Sequence, residues 1–60
     1  MTDKERIYVY PSGPNFVAEL VGEFRRGYTT KRLAVLASLS WAAATGRAVE
    51  VIEAKPGATK

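Results

Sequence analysis

TTKRLAVLASLSWAAATG, residues Thr29 to Gly46, is the one segment long and periodic enough to decide the fold. From Leu33 to Ala44 it carries no charge, and Ser38 and Ser40 are its only polar residues. Thr29 or Thr30 supplies an N-cap oxygen for the exposed first-turn amides. Gly46 supplies the residue that can turn left-handed where the helix stops. On a helical wheel Leu33, Leu36, Ala37, Ser40, Trp41 and Ala44 form one stripe at i, i+3, i+4 spacing, expected to be the core face. Leu39 and Ala43 widen it, Val35 and Ala42 lie nearly opposite, and Lys31, Ser38 and Thr45 form a thin polar edge. So wide an apolar circumference exceeds what one small sheet covers. Val35, Ser38, Leu39 and Ala42 are therefore the expected interface with a second copy or another protein.

Working outward, Gly22-Glu23 reads as a two-residue hairpin turn between strands over Asn15–Val21 (NFVAELV) and Phe24–Tyr28 (FRRGY). Upstream, Arg6–Tyr10 (RIYVY) is β-branched or aromatic after its arginine, and the PSGPN cluster with Pro11 ends that strand. Downstream, Arg47–Ala54 (RAVEVIEA) alternates as a last strand. Residues 1–5 and the polar tail 55–60 are expected to be disordered, leaving 6–54 as one domain. The order β-β-(β)-α-β makes this an α+β fold, a small sheet with one helix packed on one face.

Strand, Pro-Ser-Gly turn, strand, a helix opening on Thr-x-x-x-Ala, glycine and closing strand together resemble the small bacterial domain family DUF2188. The matching residues are Val9, Pro11, Gly13, Val17, Thr30, Ala34, Gly46 and the closing VEVIE, with Phe16 where that family usually has tryptophan. The resemblance covers about Arg6 to Glu53. It implies the fold and no chemistry, since the family has no assigned activity.

Sixty residues allow one small core and a marginal stability. Such scaffolds usually need a disulfide, a metal or a partner chain. Cysteine and histidine are both absent, which removes disulfides, the usual zinc ligands, the thiol nucleophile and the commonest general base together. No cofactor or metal site is expected, no catalytic residue is assigned, and the chain reads as non-enzymatic. Gly22 and Gly27 have the glycine spacing of a phosphate-binding loop, but Tyr28 and Thr29 stand where its Lys-Ser/Thr would be. The N-terminus lacks an apolar signal-peptide core, and the uncharged helical run is too short to span a bilayer. The expectation is a cytoplasmic protein with no membrane partner.

The charge is +3, and four of the nine basic residues, Arg25, Arg26, Lys31 and Arg32, fall within eight positions around Tyr28 without an acid among them. Lys31 and Arg32 stand in the first helical turn, where the dipole disfavours cations. Glu19 and Glu23 are placed to pair with the arginines across the hairpin. Tyr8 and Tyr10 suit either base stacking or covering the back of the sheet. The leading expectation is thus a regulatory or accessory module of a bacterium or phage. It would contact an anionic partner, DNA or RNA, through Arg25, Arg26, Tyr28, Lys31 and Arg32, as a homodimer. The alternative is a protein-interaction module or inhibitor docking through its apolar helix and sheet.

Overall fold

The computed structural model describes residues 4–57. Strands β1 (Glu5–Ser12), β2 (Asn15–Leu20) and β3 (Phe24–Tyr28) form an antiparallel meander, followed by α1 (Lys31–Thr45) and β4 (Val49–Ile52). The sheet order is β3-β2-β1-β4, with β4 parallel to β1, so the helix carries the chain from one sheet edge to the other. A small α+β fold with one helix packed on one face of a small sheet is what the sequence implied; the sheet has four strands and is mixed. Of the segments expected to be disordered, residues 1–3 and 58–60 lie outside the described residues, and Glu5 is corrected: it is the first residue of β1, paired with Val49.

β1 begins at Glu5, whose amide donates to the Ala48 carbonyl (2.9 Å), and it continues through Pro11 rather than ending there. Register explains the proline. Ser12 pairs with Asn15 across the loop Gly13-Pro14, and hydrogen-bonded pairs alternate with non-bonded ones from there. Pro11 opposite Phe16 is then a non-bonded pair, with its nitrogen turned to the side where β4 would lie. β4 pairs only as far as Tyr8, so no ladder bond is lost. Gly13 has φ +61, and the proline after it can take only negative φ, which selects a II′-type turn.

The β2–β3 connection is three residues, not two. Leu20 pairs with Phe24, leaving Val21 exposed in the loop, and the Glu23 amide donates to the Leu20 carbonyl (2.9 Å). Gly22, at φ +84, sits at the third position of that turn, where a type II turn needs positive φ.

α1 has the expected ends. Thr30 is the N-cap, its Oγ1 accepting from the Leu33 amide (3.2 Å). Gly46 takes the left-handed conformation at φ 69, and its amide and that of Arg47 both return to the Ala42 carbonyl.

The core consists of Ile7, Val9, Ala18, Leu20 and Ala34, with Phe16, Phe24, Tyr28, Val35, Trp41, Val49 and Val51 packed around it. Here the expected helix phase is corrected. Ala34 and Ser38 face the sheet, 0% and 2% exposed, while Leu33, Leu36 and Leu39 are 47%, 55% and 49% exposed. The sheet supplies the bulk through Ile7, Val9, Leu20 and Phe24, and opposite it the fully buried helix positions are the small Ala34 and Ser38. Ser38 tolerates burial because its hydroxyl donates to the Ala34 carbonyl one turn back (2.8 Å). Of the expected interface residues, Ser38 is therefore interior, Val35 packs on the core, Ala42 is half-buried, and Leu39 alone is exposed.

Candidate functional site

The basic cluster is dispersed by strand geometry. Successive side chains of β3 point to opposite faces. Arg26 lies on the helix side, its guanidinium carbon 5.4 Å from the Phe24 ring centroid. Arg25 lies on the far side, where it lines a polar cleft of about 550 Å³ with Tyr10, Ser12, Glu19 and Lys55. Tyr28 is half-buried on the helix side, paired in register with Phe16. Lys31 is held by Glu53 beyond the end of β4 (3.1 Å). Arg32 is exposed on α1 and has no ion pair among the described residues. These residues do not converge on one surface. The alternation of Arg25 and Arg26 along a strand is itself enough to separate them.

The acids also differ from expectation. Glu19 stands opposite Arg25 in register, but the hydrogen bond it makes is with Tyr10, whose hydroxyl donates to Glu19 Oε1 (2.6 Å). This bond, then burial, then the carboxylate charge raise the Tyr10 pKa, opposed by Arg25. Tyr10 and Val17 are 8% and 7% exposed although they face away from the helix, so the back of the sheet is partly covered. Pro56, half-buried, lines the cleft against Tyr10 and Pro11.

Glu23 bonds Arg47 through both carboxylate oxygens, at 3.1 Å and 2.7 Å, in the two-pronged geometry that suits guanidinium. Arg47 also pairs with Glu5 and lies over Trp41, 4.8 Å from the ring centroid. The indole in turn meets Phe24 edge-on, centroids 5.1 Å apart. Arg47 thereby ties the start of β1, the β2–β3 turn and the end of α1 together. Its hydrogen bonds hold it protonated and lower the Glu23 pKa. This cluster had no local sequence signature.

The outer face of α1 remains. Along it run Arg32, Leu36, Leu39 and Ala43 at spacings of four, three and four, flanked by Leu33 and Ser40, all exposed. The inner seam, Ala34, Ser38, Trp41 and Thr45, has the same spacing two positions on. Trp41 apart, α1 is thus small toward its own sheet and leucine-rich toward solvent, the reverse of an ordinary surface helix. Among the described residues no group of three or more His, Cys, Asp or Glu could hold a metal, and no helix is long and apolar enough to cross a membrane.

No protein-family model, no characterised protein and no solved structure matches this chain, so the resemblance to DUF2188 rests on the residues quoted for it.

Proposed function

We propose that this chain is a non-enzymatic protein-interaction module whose working surface is the outer face of α1. One observation carries the reading: Leu33, Leu36 and Leu39 stand about half-exposed on a helix that needs none of them for its own core. A surface leucine costs little singly, but three on one face form a contiguous patch of the kind that marks docking sites. The other reading, contact with DNA or RNA through Arg25, Arg26, Tyr28, Lys31 and Arg32, would have to work from cations spread over two sheet faces and a helix end.

The test is site-specific photocrosslinking in the cells that make the protein. A photoreactive phenylalanine analogue at position 36 is expected to give discrete protein adducts, and the same analogue at position 50, exposed on β4, is expected to give none. Equal yields from both positions, or none from 36, would defeat the proposal.

A further inference from the structure

We infer that the partner of the α1 outer face is a second copy of this chain, bound as an antiparallel helix pair about a two-fold axis; this rests on the interaction reading above. The argument starts from spacing. Arg32, Leu36, Leu39 and Ala43 have the alternating four-three-four spacing with which helices interlock side chains along a shared seam. In an antiparallel pair centred between Ala37 and Ser38, Leu36 of one copy meets Leu39 of the partner subunit, twice by symmetry. At each end Arg32 meets Ala43 of the partner subunit. Large side chains thus face small ones at the ends, and the leucines fill the middle. The seam is complementary to itself, as a two-fold interface requires.

Charge chooses the direction. The first turn of α1 contains Lys31 and Arg32 and no acid, and its last turn contains no base. Within one chain this opposes the helix dipole at the N-terminus, while the cation beside the C-terminal end, Arg47 just past the cap, is taken up by Glu5 and Glu23. Lys31 is occupied by Glu53; Arg32 is not paired among the described residues. Antiparallel packing lays the Arg32 stem over the partner's Ala43 and carries the guanidinium to the carbonyl end of the partner helix. A parallel pair would instead set two Arg32 side chains and two positive helix ends side by side. The self-pairing also supplies what the composition lacks: with no disulfide, a second chain is the remaining staple for a domain this small.

The experiment uses the full chain. Sedimentation equilibrium from micromolar to millimolar concentration is expected to fit a reversible monomer–dimer equilibrium. Leu36→Glu is expected to be monomeric throughout, with unchanged circular dichroism. Arg32→Glu gives a more specific outcome: it should weaken the dimer by about tenfold while raising the melting temperature of the dilute monomer, because an acid suits the helix N-terminus. A residue needed only for folding would move both in the same direction. Register is read from disulfide exchange, since the chain has no cysteine of its own. Mixed Leu36→Cys and Leu39→Cys chains should form the heterodisulfide in preference to either homodisulfide. Preferred homodisulfides would overturn the antiparallel arrangement. A monomer at every concentration would overturn self-pairing, and adducts from position 36 to other proteins would then leave the interaction reading standing. Loss of those adducts as well would remove both.

Discussion

The guanidinium of Arg47 lies over the indole of Trp41, its central carbon 4.8 Å from the ring centroid, while the same group grips Glu23 with both prongs. Arg47 follows the helix cap directly, so one side chain locks the end of α1 to a turn and a strand distant in sequence. Arg47→Ala should lower the melting temperature clearly and shift the Trp41 emission to the red, because the ring loses its cover. Arg47→Lys should restore only part, since an ammonium cannot reproduce the fork or the flat stacking. Lys31→Ala, which breaks the exposed pair with Glu53, is the control. It should stay within about 0.5 kcal/mol of the parent protein, because surface pairs contribute little and removing a cation from the first turn offsets the loss.

The helix phase makes an inverted prediction about leucine and alanine. Ala34 is 0% exposed between α1 and the sheet, while Leu36 is 55% exposed. Ala34→Leu should destabilise by about 1–3 kcal/mol through overpacking. Leu36→Ala should be within about 0.5 kcal/mol of neutral in the dilute protein. Denaturant titrations of the two variants check this. Had the leucine stripe faced the sheet, the order of the two costs would be reversed.

How much of this was legible in the sequence depends on what kind of force set each feature. The helix ends were legible because Thr30 and Gly46 act locally, through an oxygen on an amide and a glycine at positive φ. The strands were legible from alternation, and β1 overran its expected end only because β4 stops short of Pro11. The helix phase was not legible. A helix apolar nearly all round leaves the wheel without a contrast, and the choice of Ala34 and Ser38 as the inner seam is made by the bulk of Ile7, Val9 and Leu20 across the gap. Nor could the Arg47 cluster be read, since Glu5 and Glu23 lie 42 and 24 positions away. The scattering of the basic residues, by contrast, was available: adjacent arginines on a strand cannot share a face.

Acid should weaken the fold partly through Glu23. Its hydrogen bonds from Arg47 lower its pKa in the folded chain, so the native state binds that proton less readily than the unfolded chain does. The resulting stabilisation is complete above the ordinary glutamate value of about 4.3 and is lost as pH falls through the lowered folded value. Urea titrations at a series of pH values should show this as a steeper fall for the parent protein than for Glu23→Gln. The variant should be weaker at neutral pH and converge with the parent in strong acid. Parallel curves across the whole range would show that the Glu23–Arg47 contact contributes nothing to the acid limb.

Tyr10 provides the alkaline counterpart, with the opposite sign. Its hydroxyl proton is held by Glu19 at 2.6 Å, and ionisation would set a phenolate against a carboxylate in a poorly solvated place, so its pKa is raised. A raised folded value means the stabilisation is present below the ordinary tyrosine pKa of about 10 and disappears as pH climbs through the folded one. Phenolate absorbance of the native protein should therefore include a component that rises late. Tyr10→Phe should delete that component and leave the rest of the curve in place. Glu19→Gln should bring the component to lower pH by removing both the carboxylate acceptor and its charge, and Arg25 opposite, which favours the phenolate, then acts without competition in the same direction. A late component that survives in Tyr10→Phe would assign it to Tyr8 or Tyr28 and remove the Tyr10–Glu19 bond as its cause.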